Sequence, residues 1–359
     1  MKMHPIIEVH GDSYEVGFQY GSKCTNLICE RLEVMRQLFN DKILFDFGWR
    51  KAIQKSKKYI PFIEKYDSEL IEEMKGVASG ANLSLDEILF LNVVYEFFSR
   101  RTPGVWNRCT TLFVKSEVTT NGIVIIGQND DWNEIFRPFI VLLKIEQKSR
   151  PKIMQVCDAG TIGGNGINNY GVALCANSLL SGDWTFEGIP HLLIKRGALK
   201  SKNMAEAIAA ITSSTRSSSH NYLLGHSEGE GIDIESTPTD CNFIFPANGF
   251  ITHTNHFVIR TPHIQDNKVM RSPDTLVRKE RADTILSHNI GKITLETIKH
   301  VFTDHFSKPH SICRHPNTQF SPPQQMQTNA SMIIDMTNRI LHISNGPPCE
   351  NDYIIHKID

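Results

Sequence analysis

A lone cysteine opens the run "RCTTLFV", Arg108 to Val114. The run reads as a β-strand, and the thiol has no partner at metal or disulfide spacing nearby. The other seven cysteines, at 24, 29, 157, 175, 241, 313 and 349, also form no CxxC pair. In a long chain without a secretion signal, such thiols are normally reduced, small core residues. Cys109 stands apart because of what precedes it. "SRRTPGVWNR", residues 99–108, carries two adjacent arginines, Pro103 and Gly104, which break any helix, and it reads as an exposed linker. A linker is where a chain can be cut. Severing the bond between Arg108 and Cys109 exposes an α-amine of pKa near 8 beside a thiol near 8.5. That amine can accept the proton of its own thiol, so one residue supplies both nucleophile and base. A buried core thiol at a strand start is the plainer reading, and position alone leaves both open.

Thioester chemistry needs further groups: donors for the developing oxyanion, a holder for the amine, and a means of excluding water. Losing one oxyanion donor typically costs about 3 kcal/mol, so such donors belong on rigid mounts. "THTNHF", 252–257, offers Asn255 on what reads as a strand. "GQNDDW", 127–132, offers Asn129, Asp130 and Asp131 at the end of the strand expected to pair with that of Cys109. In a hairpin that strand end returns close to the thiol. On a strand, Asp130 and Asp131 point to opposite faces. Asn255 taken alone reads as readily as a satisfied strand amide. Arg314 taken alone reads as a surface charge.

Histidines invite a metal reading and do not support it by spacing. His253 and His256, three apart on a strand, face opposite ways, and they are expected to support the site through hydrogen bonds. His300, His305, His310 and His315 recur at five-residue steps, which follow neither a helix face nor a strand face. No metal site is expected. "GGNG", 163–166, lacks the lysine and spacing of a phosphate loop.

The elements that must position these residues change character along the chain. "SYEVGFQYGSKCTNLICERLEVMRQLF" reads as an amphipathic helix with Ser13 as N-cap. "SELIEEMKGVASGAN" reads as a helix broken by Gly80, and "SLDEILFLNVVYEFF" as a helix capped by Ser84. After residue 109, "CTTLFVKS" and "GIVIIGQND" flank Asn121-Gly122, a hairpin signal. "FIVLLKIEQ" and "KIMQVCDAG" read as another strand pair. "GVALCANSL", "NYLLGHSEGEGIDIEST" and "GFITHTNHFV" read as further strands. "PHLLIKRGALKSKNMAEAIAAITSS" reads as two helices, "ITLETIKHVFTDHF" as one, and "ASMIIDMTNRILHISNG" as a closing hairpin. Grouped helices and hairpin-linked strands indicate a layered α+β fold rather than alternating βαβ. No internal repeat, low-complexity stretch or sharp domain boundary interrupts the 359 residues, so one domain is expected.

Totals narrow the function classes. Charged residues make up 21% and the formal net charge is −1, which disfavours nucleic acid as a partner. The N-terminus lacks the apolar core of a signal peptide, no apolar run reaches membrane-spanning length, and "HKID" is no retention address. A soluble, cytoplasmic protein without membrane partner is the default expectation. Whether it forms a homo-oligomer is left open.

With Cys109, "GQNDDW" and "THTNHF" together, the chain resembles the acyl-coenzyme A:6-aminopenicillanic acid acyltransferase (isopenicillin N acyltransferase) family of N-terminal nucleophile hydrolases. "CTT" with "GQN-x-D" matches the nucleophile hairpin, "HTNH" a second signature and "SICR", 311–314, a third. "EVGFQYGS", "MKGVASGANLSLDEILFLN" and "AGTIGGNGINNYGVALCANSL" also look like family segments, in the same order. The resemblance implies a four-layer αββα sandwich of two antiparallel sheets. It implies self-cleavage between Arg108 and Cys109, leaving 1–108 bound as a mainly helical segment and 109–359 as the nucleophile-bearing one. It implies that Asp131 holds the nucleophile's amine, Asn255 stabilises the oxyanion and Arg314 lies near the pocket. Asn129, Asp130 and His253 are expected as supporting residues. The implied partners are a small-molecule acyl amide or acyl-CoA and the chain's own cleaved segment. No cofactor is expected, with acyl-CoA as a candidate co-substrate. Two features depart from the family: Arg108 stands where glycine is frequent, and Asp130 where an aromatic residue is usual, which makes Asp130 the alternate to Asp131. The competing readings are a papain-like cysteine peptidase and a non-catalytic small-molecule-binding homologue.

Overall fold

A computed structural model describes residues 4–42, 45–101, 108–319 and 325–358. The expected linker falls mostly on 102–107, outside the described residues. In chain order the first elements are β1 (Ile6–Gly11), α1 (Ser13–Asn40), α2 (Trp49–Ser56), α3 (Ile60–Ala81) and α4 (Leu85–Arg101). Then follow β2 (Arg108–Val114), β3 (Ile125–Asn133), β4 (Ile140–Gln147), β5 (Ile153–Asp158), β6 (Asn165–Asn168) and β7 (Val172–Ser178). Helices α5 (His191–Leu199) and α6 (Met204–Thr212) precede β8 (His220–His226), β9 (Gly231–Ser236), β10 (Cys241–Ile244) and β11 (Phe250–His253). The chain closes with α7 (Asn267–Arg271), α8 (Asp274–Ser287), α9 (Leu295–Phe302), β12 (Met326–Asp335), β13 (Ile340–Asn345) and β14 (Ile354–Lys357).

These elements gather into two compact units. The first holds residues 1–102, 138–168 and 184–218; the second holds 103–137, 169–183 and 219–359. The units do not follow the division at residue 108. The reason is a parallel ladder: β1 pairs with β4, from Ile6 opposite Leu142 to Gly11 opposite Gln147. The N-terminal segment is thereby hydrogen-bonded to a strand that follows Cys109 in the chain.

In the first unit, β1, β4, β5 and β6 lie side by side, with helices packed on them. The cap of α1 lies one residue before the expected one. Asp12, not Ser13, accepts the Glu15 N–H at 2.9 Å, and Glu15 accepts the Asp12 N–H at 2.9 Å. A carboxylate completes this reciprocal pair better than a hydroxyl because it also faces the positive end of the helix dipole. Ser84 caps α4 as expected, and does so in a reciprocal pair with Glu87.

Gly80 does not break α3, which continues to Ala81 and ends at Asn82 in the left-handed conformation. Its role is close approach. A methyl group on Gly80 would sit 2.1 Å from the Phe18 carbonyl oxygen, and one on Gly76 2.2 Å from that of Tyr14. Gly17 and Gly21 on α1 meet the carbonyls of Glu73 and Val77 just as closely. Two glycine pairs, each four residues apart, let the two backbones touch where any side chain would hold them apart.

The second unit is a two-sheet arrangement. One sheet runs β11-β2-β3-β12-β13-β14, antiparallel throughout. Strands β7, β8, β9 and β10, also antiparallel, lie against it. Phe113 of β2 fills the space left by Gly225 and Gly231 of that facing layer. The outer face of the six-stranded sheet is covered by α8 and α9. Leu112, Val114, Ile125 and Ile333 from the strands meet Ala282, Ile285, Leu286, Ile298 and Phe302 from the helices. Helices on strands in one unit, and strand layers capped by helices in the other, give a mixed α/β protein of the layered kind expected for an αββα sandwich. Among the described residues, no helix is long and apolar enough to cross a membrane.

Candidate active site

The hairpin of β2 and β3 sets the geometry. Arg108 lies opposite Asp131, Cys109 opposite Asp130, and Thr110 opposite Asn129. Residues directly opposite share a face. Cys109 and Asp130 therefore share the face that meets the second strand layer, where Thr111 accepts a hydrogen bond from Asn177 at 3.0 Å. Asn129 and Asp131 share the face covered by α8 and α9. The two adjoining aspartates are thus separated by the sheet itself.

On the inner face Cys109 is 2% exposed. Its thiol lies 3.5 Å from Asp130 Oδ1. Burial raises the thiol's pKa well above its ordinary value, and the carboxylates of Asp130 and Asp131 raise it further. The thiol is therefore protonated at neutral pH in the intact chain. Its backbone nitrogen donates to Asn255 Oδ1 at 2.9 Å.

Asn255 does not lie in a strand, contrary to the sequence expectation. β11 ends at His253, and Asn255 sits on the loop just beyond it. The loop is held rigid without a ladder. The Asn255 N–H donates to Thr275 Oγ1 at 2.8 Å, and Thr254 Oγ1 donates to the Thr275 carbonyl at 2.8 Å. Departure from the strand also brings His253 and His256 together, their rings stacked with centroids 6.2 Å apart, rather than on opposite faces. His253 bonds Glu235 at 3.0 Å through Nε2 and the Thr254 carbonyl at 2.9 Å through Nδ1. Burial opposes its charge, but Asp233 and Glu235 outweigh burial and raise its pKa. Glu235 further accepts the N–H groups of Val258 and of Ile259, fixing the loop that carries Asn255. His253 acts as support and does not contact the thiol.

The orientation of the Asn255 amide follows from its neighbours. Arg278 Nη2 donates to Oδ1 at 2.9 Å, and a guanidinium only donates, so that atom is the oxygen. Nδ2 donates to the Ser178 carbonyl at 3.1 Å. In the intact chain, the residue expected as an oxyanion donor thus accepts from Cys109 and spends its donor on Ser178.

Arg278 and Asp274 escaped the sequence reading. Both lie on α8, one helical turn apart, in the charge-rich stretch "SPDTLVRKERADTIL". Arg278 is buried. It donates to the Cys109 carbonyl at 2.7 Å and to Thr110 Oγ1 at 3.1 Å. Asp274 binds Arg278 at 3.0 Å and Arg314 at 2.8 Å. Burial opposes its ionisation, yet the two guanidinium groups hold its pKa well below the usual carboxylate range. The available signal was the i, i+4 acid–base spacing, which is also the commonest pattern of exposed helices.

On the helix-covered face, Arg314 is buried, not a surface charge. It lies 3.6 Å from Asp131 Oδ2. Asp131 Oδ1 accepts from Thr328 at 2.6 Å, while Oδ2 has no hydrogen-bond partner among the described residues. Burial pushes Asp131 up to about 7, with Arg314 and Arg278 pulling against it. Asn129 is away from the thiol; its Nδ2 donates to the carbonyls of Phe302 and Ile312 at 2.9 and 3.0 Å, anchoring the loop that bears Arg314. Arg108 is lowered to about 10, first by burial and then by Arg314. Lys268, buried with its Nζ 3.4 Å from Ser178 Oγ, is lowered to about 7 by burial and by Arg108.

One more grouping differs from the spacing argument. His305 and His315, two of the four histidines at five-residue steps, meet with their Nε2 atoms 3.0 Å apart, because the chain between them folds back on itself.

A family model described as "Acyl-coenzyme A:6-aminopenicillanic acid acyl-transferase" matches residues 118–348, more than half of the chain. The chain belongs to that acyl-transferase family. The matched stretch includes Asp130, Asp131, Asn255, Arg278 and Arg314 and begins after Cys109. Over 314 residues the chain is 28% identical to the acyl-coenzyme A:6-aminopenicillanic-acid-acyltransferase 40 kDa form of Emericella nidulans, covering 86% of this chain and 84% of that protein. Among solved structures it is similar to a variant of the conjugated bile acid hydrolase of Clostridium perfringens, with TM-score 0.45, 12% identity, and 70% of this chain and 97% of that one covered. Penicillin V acylase of Agrobacterium tumefaciens gives TM-score 0.41 at 12% identity, over 66% and 82% of the two chains.

Proposed function

We propose that this acyl-transferase family member severs its own backbone between Arg108 and Cys109 and then works as an N-terminal-cysteine amidohydrolase or acyltransferase. The observation that carries the reading is the setting of Cys109: a buried strand-start thiol against the Asp130 carboxylate, with its backbone nitrogen held by an asparagine that a buried arginine orients.

Maturation begins when the Cys109 sulfur attacks the Arg108 carbonyl carbon. Asp130 is the nearest acceptor for the thiol proton, which passes to the Cys109 nitrogen as the C–N bond breaks and the C–S bond forms. Water then hydrolyses the thioester, leaving Arg108 with a carboxylate and Cys109 with a free thiol and amine. The parallel β1–β4 ladder supports retention of the N-terminal segment after the cut. The new amine supplies the base for turnover. The Asp131 Oδ2 atom is an acceptor for that amine once protonated.

In turnover the thiolate attacks an amide or thioester carbonyl, the amine takes and returns the proton, and the acyl group rests on sulfur. Water or an amine then collects it. The family and the named relatives support acyl amides, penicillin-type amides and acyl-CoA as the substrate classes to try. The papain-like reading loses support, because Cys109 lies on a strand and not at a helix start.

The test is intact mass and N-terminal sequencing of wild type and Cys109→Ala. Two fragments with a new N-terminal cysteine, in wild type only, are expected; an uncut wild type that still turns over acyl amides overturns the proposal. An uncut, inactive wild type would favour the non-catalytic homologue. A panel of N-acyl amino acids, acyl amines, penicillins and acyl-CoA then assigns donor and acceptor.

A further inference from the structure

Away from the thiol of Cys109, the second unit brings together two imidazoles and two thiols that the function proposed above does not use. His305, Cys313, His315 and Cys349 each direct one ligand atom to a common point, with all four atoms within 4.8 Å of one another. The pairwise distances are informative. The two sulfurs are 3.5 Å apart, His315 Nε2 lies 3.7 Å from Cys313 Sγ and 3.3 Å from Cys349 Sγ, and the two Nε2 atoms are 3.0 Å apart. Tetrahedral zinc with bonds of about 2.3 Å to sulfur and about 2.0 Å to nitrogen spaces its ligands roughly 3.3–3.8 Å apart. These four spacings match that geometry within a few tenths of an ångström, and His305 lies within 4.8 Å of both thiols.

The surroundings fit as well. His315 turns its other nitrogen, Nδ1, to Glu350 at 3.1 Å, which directs Nε2 toward the thiols. A carboxylate on the far nitrogen is the usual way a metal-binding imidazole is oriented. The loop geometry is independent of any ion. Cys313 N–H donates to the Asp304 carbonyl at 2.9 Å, closing the loop that holds His305 and Cys313. Glu350 N–H donates to the Pro347 carbonyl at 3.1 Å, closing the turn that presents Cys349. Cys313 is buried while His305 and Cys349 are exposed, so the point is reachable from solvent.

We propose that His305, Cys313, His315 and Cys349 bind one zinc ion, tying the 304–315 loop to the turn between β13 and β14. Two thiolates and two neutral imidazoles neutralise the divalent ion, a closed structural set with no ligand position left for catalysis. Arg314 lies between two of the ligands, so the ion also fixes the strip of backbone from which Arg314 reaches Asp131 and Asp274.

The test is metal analysis of the whole protein, purified under reducing conditions and reconstituted with zinc, alongside Cys349→Ser and His305→Asn. Both substitutions are at exposed positions, and thermal unfolding checks that each variant folds. About one zinc per chain is expected in wild type, with strong loss in either variant. Cobalt in place of zinc should give the intense visible bands of a tetrahedral thiolate site, and these should vanish in Cys349→Ser. Wild type that takes up no zinc after full reduction, or variants that keep the wild-type content, would overturn the proposal. A Cys313–Cys349 disulfide that persists under reducing conditions and excludes the metal would do so too.

Discussion

Two polar clusters flank Arg314, and they are built in opposite ways. Around Cys109, charge is buried: Arg278, Arg314 and Asp131 are each 1% exposed or less, and the thiol is pushed toward its neutral form by the absence of water. The groups sit on β2, β3, β12 and α8, or on a loop bolted to α8. Around His305 and Cys349 the groups sit on loops, two of them exposed, and the charge that would organise them is an ion from outside. The first cluster carries its counter-charges in the chain, and in the proposed function a covalent event makes it reactive. The second has donors converging on one point. Burial favours a preorganised reaction centre, because interactions there are strong; half-exposure favours exchangeable ligation.

Substitutions separate the two. Cys109→Ala should abolish both the cut and turnover, read as a single uncut species by mass, while zinc content stays at the wild-type level. Next in size, Arg278→Leu removes the donor to the Cys109 carbonyl and to Asn255 and leaves buried Asp274 with one guanidinium. Breaking a buried pair costs about 3 kcal/mol or more; denaturant unfolding in the Cys109→Ala background should show it.

Asp130→Asn should slow the cut roughly a hundredfold, the scale of one proton acceptor, followed by the time course of fragment formation. If Asp130→Asn cuts at the wild-type rate, the two faces of the hairpin do not divide the work as described. Asp131→Asn probes the other face through pH. Folding holds Asp131 near 7, well above its ordinary value, so the fold disfavours its ionised form. Stability of the uncut protein should therefore fall as pH rises from about 4 to about 7 and then level. Asp131→Asn should flatten that stretch relative to the parent. The smallest effect should come from Cys349→Ser: a melting temperature lower by a few degrees in zinc, as expected for about 1–2 kcal/mol, and no sensitivity to chelator.

Much of this was legible in the residues. Alternation sufficed to suggest that β2 pairs with β3 but not to set their register: residues 115–124 connect the two strands, so Asn121-Gly122 is not a two-residue turn closing the ladder, and Cys109 comes to lie opposite Asp130. That register placed Asp130 beside the thiol and Asp131 on the other face. The starts of α1 and α4 were legible to within a residue, since capping is a contact of three residues. Ordered signatures further indicated an acyl-transferase family. What a one-dimensional period could not show was any contact between distant segments. Gly80 looked like a break because its partner, the Phe18 carbonyl on α1, is sixty residues away. Arg278 gave no sign of its role because the i, i+4 spacing of a surface ion pair and of a buried one is the same. His305, His315 and Cys349 looked unrelated because their common point exists only after a loop closes and β13 turns toward β14. The sequence by itself determined that Cys109 opens a strand and that its neighbours alternate between the two faces, since these follow from local backbone geometry. Only the tertiary structure decided which charges are buried together and which ligands converge, because desolvation and proximity belong to the packed chain and not to its order of residues.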